Sequence, residues 1–163
     1  MKALIGAVLI IAACGSTGFL YAAEKRQRTL CAEGYLELIR YISERLPCLT
    51  PMDAIIKEFD NSALENAGVL RILRGEHSIE PCNKRFLRAI ELQKDDTELY
   101  SVLLPLANEL GSLEYGRQMR SLKTAEVRLD ILCGKRRAAL EGGEKCYRWL
   151  GVLAGAMAVI LLL

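Results

Sequence analysis

WLGVLAGAMAVILLL, from Trp149 to Leu163, carries no charge and almost no polar side-chain atom. Its counterpart near the other end, ALIGAVLIIAACGSTGFLYAA from Ala3 to Ala23, is equally uncharged. Every acidic residue, and every basic one except Lys2, lies between these runs. Both read as membrane anchors, which leaves residues 24–148 for one water-facing domain. As a helix the first run is ~31 Å long, against a hydrocarbon core of ~30 Å. The second gives ~22 Å, or ~27 Å counted from Cys146. Local bilayer thinning absorbs that mismatch at small cost, so a full span is favoured over a partly inserted anchor.

Charge sets an orientation. Lys25, Arg26 and Arg28 follow the first run, and Lys135, Arg136, Arg137, Lys145 and Arg148 precede the second. Two basic inner flanks place the middle in the cytoplasm and both termini outward. Tyr147 and Trp149 suit the headgroup level, and Arg148 can snorkel to it. Lys25, Arg26, Arg28, Lys145, Tyr147, Arg148 and Trp149 are therefore the expected interface anchors. Within the second span Gly151 and Gly155 stand four apart, a spacing that lets another helix approach closely, and Gly6, Gly15 and Gly18 offer a matching surface in the first. A competing pattern, Ile11-Ala12-Ala13-Cys14-Gly15, resembles a bacterial lipoprotein signal and would make the chain an exported binding module processed at Cys14. The apolar run continues well past Cys14 to Ala23, with the basic cluster beyond it, and this favours an uncleaved anchor.

The middle reads as helical throughout. Thr29 to Leu46 places Cys31, Tyr35, Leu38, Ile42 and Leu46 on one stripe and ends before Pro47. Thr50 is the expected cap of the next helix, with Pro51 in its first turn, Asp53 favouring the dipole and Met52, Ile55, Ile56 and Phe59 inward. Ser62-Ala63-Leu64-Glu65 has the form of a capping box for a helix through Leu70 and Leu73 to Gly75. Pro81 starts a fourth helix, with Phe86, Leu87 and Ile90 inward. Asp95 or Asp96 caps a fifth, with Leu99, Leu103, Leu106, Ala107 and Leu110 inward, Gly111 as its C-cap and a kink or break expected at Pro105. The sixth runs from about Leu113 past Met119, Leu122, Ala125, Leu129, Leu132 and Leu140 into the second span, with Gly142-Gly143 as the point of any break. The expected fold is all-α: a small cytosolic bundle of about six helices, residues 24–148, flanked by transmembrane helices at 3–23 and 149–163.

No catalytic constellation assembles. The single histidine, His77, lies in the loop-like stretch Gly75-Glu76-His77-Ser78 without partners. None of the six cysteines lies two to four residues from another, so the spacing favours buried or half-buried thiols over a zinc site or a disulfide framework; Cys14 falls in the first apolar run. Gly142-Gly143 lacks the lysine and serine of a phosphate loop, and Asp95-Asp96 reads as a cap. Setting Lys2 aside leaves 21 basic residues against 20 acidic ones in the middle, which argues against nucleic acid as a partner. Lys135-Arg136-Arg137 has no aromatic neighbours and reads as a solvated or lipid-facing anchor. No cofactor is expected.

In its combined order and spacing the chain resembles the stage III sporulation protein AB family. The resemblance rests on the N-terminal span from residue 3, on Tyr41 to Thr50-Pro51, and above all on the C-terminal third. That third reads Leu106-Ala-Asn-Glu-Leu-Gly111, then Gln118, then Lys145-Cys-Tyr147-Arg-Trp-Leu150-Gly151-Val-Leu153-Ala-Gly155 into a leucine-rich end. Such proteins look like the inner-membrane platform component of type II secretion and type IV pilus machines. The resemblance implies a part in the channel complex between mother cell and forespore, in the mother-cell membrane. It implies as partners a cytosolic secretion-type ATPase, other membrane subunits and lipids, with homo-oligomers an open alternative.

Overall fold

No charge interrupts the chain between Lys2 and Glu24, and no proline occurs before Pro47, so nothing in the sequence stops a helix once begun. The computed structural model describes the backbone of residues 2–48, 50–75, 80–110 and 114–162, with side chains for residues 19–48, 50–75, 80–110 and 114–143 and for Leu153 and Met157. Among the described residues every regular element is helical. Helix α1 runs unbroken over Lys2–Arg45, followed by a 3₁₀ turn at Leu46–Cys48. Then come α2 (Met52–Glu58), α3 (Ser62–Asn66), α4 (Val69–Arg74), α5 (Cys82–Glu91), α6 (Thr97–Glu109) and α7 (Tyr115–Leu162). The expected first span and first bundle helix are thus one helix, as are the sixth helix and the second span. Gly142-Gly143 does not break α7, because both positions hold helical backbone.

Three local expectations need correction. Pro51 is itself the N-cap of α2, with no side-chain cap bond, so Thr50 does not serve. Asn61, not Ser62, caps α3: its Oδ1 accepts from Leu64 N at 3.1 Å, while its Nδ2 donates to Glu37 Oε2 on α1 at 2.8 Å. The helix that follows is divided in two at Gly68, whose φ of 74° is left-handed. Pro105, by contrast, stays inside α6. It and Ser101, whose carbonyl loses its helical partner, both lie on the exposed face, where water can satisfy that oxygen. Asp96 caps α6 as expected, accepting from Leu99 N at 3.2 Å, and Gly75 closes α4 with φ 64°. Gly111 lies outside the described residues.

The chain divides into two compact units: Met1–Arg28 with Lys135–Leu163, and Thr29–Gly134. The second holds the core. Tyr35, Leu38, Ile39 and Ile42 of α1 are buried together with Ile55 and Ile56, Leu64, Leu70 and Leu73, Phe86 and Ile90, Leu99 and Leu103, and Leu129 of α7. Tyr35 satisfies its hydroxyl by donating to Ala89 O at 3.2 Å, and burial pushes its pKa well above the usual phenol range. Among the described residues no helix is long and apolar enough to cross a membrane. Most side chains of the expected spans, 3–23 and 149–163, lie outside those described.

Candidate functional site

In the first unit two sequence-distant basic clusters come to one level. Arg136 Nη1 of α7 donates to Arg28 O of α1 at 3.4 Å. Around that contact stand Lys25, Arg26 and Arg28 on one helix and Lys135, Arg136 and Arg137 on the other, with Glu24 as the local acid, bonded to Arg28 at 2.6 Å. Of the expected anchors, Arg26 and Arg28 are exposed, and half-buried Lys25 sets its Nζ 4.8 Å from the centre of the Tyr21 ring. Lys145, Tyr147, Arg148 and Trp149 fall within α7, as do Gly151 and Gly155; the side chains of all six residues lie outside those described. Phe19, Leu20 and Tyr21 on α1, and Leu153 and Met157 on α7, are exposed apolar side chains. The flanking charge was visible in sequence; the pairing of Arg28 with Arg136 was not, because it depends on the register of helices 108 positions apart.

The units differ in charge. The first carries nine basic residues against three acidic ones, a net of +6, and the second 13 against 17, a net of −4, together the +2 of the whole chain. Counting the middle as a single block from 24 to 148 hides this partition.

Arginines pin the helices of the second unit. Buried Arg85 on α5 donates through Nη2 to Asp53 of α2 and through Nη1 to Leu73 O of α4 at 2.7 Å. Arg74 donates to Glu65 Oε2 at 3.1 Å and to Phe59 O at 2.9 Å. Arg40 of α1 reaches Glu126 at 3.1 Å and Asp130 at 3.0 Å on α7. The hydrogen bond from Lys123, reinforced by Arg40, holds the Glu126 carboxyl below the usual carboxylate range. Burial pushes the Cys82 thiol up to about 11, against the pull of Arg85. These groups join elements to one another and do not converge on an open centre. Among the described residues no three His, Cys, Asp or Glu side chains are grouped to hold a metal, and His77 lies outside them. Cys31 and Cys133 are buried and Cys82 is half-buried, but Cys48 is exposed, against the expectation of uniform burial, because the 3₁₀ turn after α1 carries it off the core. None of these four thiols is in a disulfide; Cys14 and Cys146 have side chains outside those described.

A family model described as Stage III sporulation protein AB (spore_III_AB) matches residues 3–163. The chain belongs to the stage III sporulation protein AB family. The match takes in both the basic helix pair and the acidic bundle, so both are parts of one family member and the protein is sporulation-related. The family is described by sporulation and not by an enzymatic activity. No curated protein and no solved structure matches the chain.

Proposed function

We propose that this family member is a non-enzymatic platform subunit of the sporulation channel complex, set in the mother-cell membrane facing the forespore. The observation that carries this reading is the order along α1 and α7: each helix bears an uncharged run, then a basic cluster, then a face packed into the bundle. Residues 3–23 and 149–163 are the spans of this reading, and the basic clusters hold the inner membrane surface. The bundle lies in the cytoplasm and offers its surface to the secretion-type ATPase of the complex, while Gly151 and Gly155 pack against membrane subunits. A net charge of −4 on the second unit favours a basic docking face on that ATPase.

Detergent-solubilised full chain should bind the purified ATPase at about micromolar affinity, and the binding should weaken with salt. No association at ten times that concentration would remove the platform reading. The processed alternative predicts a mature chain beginning with lipidated Cys14; the intact mass of protein extracted from sporulating cells separates the two.

A further inference from the structure

We propose that the exposed face of α7 from Thr124 to Gly134 is a self-association face, against which a second copy of this chain lays its own α7 in parallel. The proposal rests on the membrane reading above, which holds both copies in one membrane with the same orientation.

Thr124, Val127, Ile131 and Gly134 follow one another at spacings of three, four and three, so they form one seam along the helix. All four are exposed, while Leu122, Ala125, Leu129 and Leu132 on the opposite side of α7 are buried in the bundle. Val127 is 52% exposed and Ile131 67%, the highest values among the large apolar side chains described in the second unit. The Thr124 hydroxyl donates back to Arg120 O at 2.8 Å, so it is satisfied within the helix and asks nothing of a partner.

Gly134 is the second observation. Glycine inside a helix lowers its stability relative to alanine. In α1 the packing accounts for it: a Cβ on Gly34 would stand 2.8 Å from Leu64 Cγ of α3. A Cβ on Gly134 would meet nothing within 4 Å. No described neighbour in this chain requires glycine there, whereas a second backbone coming close along the seam does.

Charge and area select the occupant. Lys123 and Asp130 border the seam on one side, Arg128 and Lys135 on the other. Two antiparallel copies would bring Asp130 near Asp130 and Arg128 near Arg128. Two parallel copies set each Asp130 against Lys135 of the other, the pairing of flanking positions in parallel coiled coils. This pairing needs no vacant group, because a carboxylate accepts from several donors and an ammonium carries three. Asp130 is 64% exposed and uses Oδ1 for Arg40 of its own α1 at 3.0 Å. Lys123 would face Arg128, but Glu126 holds its ammonium at 3.0 Å. The seam is only ~15 Å long, too short for the ~1,200–2,000 Å² that a stable soluble complex buries. Two copies confined to one membrane need far less, because each meets the other at high effective concentration.

The test is disulfide crosslinking of the full chain in native membranes, in a Cys48→Ser background, with a copper phenanthroline oxidant. Ile131→Cys should give a species of twice the chain mass at about ten times the yield of Glu91→Cys, an exposed control on α5. Val127→Cys should behave as Ile131→Cys does, since each seam position meets its own copy in a parallel pair. Adding Gly134→Glu to Ile131→Cys should lower the yield about tenfold by opposing two carboxylates across the seam. The same change should leave the thermal unfolding midpoint no lower, because glutamate is the better helix former. Equal yields from Ile131→Cys and Glu91→Cys, or a yield unchanged by Gly134→Glu, overturns the proposal. So does an adduct of any other mass, since a different protein then occupies the face. A disulfide seen only when Val127→Cys and Ile131→Cys are co-expressed also overturns it, because the copies are then antiparallel. Carbonate extraction separates the two levels of failure: a chain that stays in the pellet without crosslinking refutes this face alone, and a chain that leaves the pellet refutes the membrane reading with it.

Discussion

Gly75 is held by two constraints at once. Its φ of 64° disfavours any L side chain, and an added Cβ would stand 2.6 Å from Arg85 Nη1. Gly68 shares the first constraint, with φ 74°, but its nearest neighbour would be Arg71 Nη2 at 3.6 Å. Gly68→Ala should therefore cost about 1 kcal/mol. Gly75→Ala should cost about 2–3 kcal/mol, because it also displaces the guanidinium that joins α2, α4 and α5. Chemical unfolding followed by helical circular dichroism measures both, and equal costs would mean that Arg85 does not bear on Gly75. Beside the same arginine, Cys82 is pushed up to about 11 by burial. The thiolate is the reactive form, and at pH 8 about one Cys82 in a thousand carries it. Alkylation of Cys82, followed by peptide mass spectrometry, should speed up about tenfold per pH unit from pH 8 to 10. A rate already level at pH 9 would contradict the burial.

At the scale of elements, helical periodicity made the core legible. Leu99, Leu103, Leu106 and Ala107 are buried on one face of α6, and Ile55, Ile56, Phe86 and Ile90 are buried as the stripe spacing predicts. Boundaries were less legible, because a cap goes to whichever neighbour can reach a free N–H. Asn61 reaches Leu64 N where Ser62 was expected to cap, and Gly68 takes a left-handed conformation that a run of apolar residues does not announce. The arginine pins were invisible for another reason: Arg40 and Glu126 are 86 positions apart, and nothing local marks them as partners. Glu126, held in its charged form first by Lys123 of its own helix and then by Arg40 of α1, gives this contact an acid-sensitive partner. The folded pKa of Glu126 lies below its unfolded value, so its stabilising contribution is complete above the ordinary carboxylate pKa of ~4.3 and is lost as pH falls through the lower folded value. Glu126→Gln should flatten that part of the acid unfolding profile and leave the profile near pH 7 parallel to wild type. Equal steepness below pH ~4 in both proteins would show that the pair does not couple to folding.

For the whole molecule the deciding property is the partition of charge, +6 on one unit and −4 on the other. The two uncharged runs and their basic flanks were plain in sequence, as was the family they pointed to. The partition became visible only when folding brought residues 135–137 alongside residue 28. The proposed arrangement anchors the chain in the membrane with its acidic bundle in the cytoplasm, and Cys48, exposed on that bundle, reports on it directly. A membrane-impermeant maleimide, compared between wild type and Cys48→Ser in intact and in permeabilised sporulating cells, measures the side on which it lies. The account predicts that Cys48 is protected in intact cells and labelled after permeabilisation, in protein that pellets with carbonate-washed membranes. Labelling of Cys48 in intact cells, or loss of the protein from the washed membranes, would contradict it.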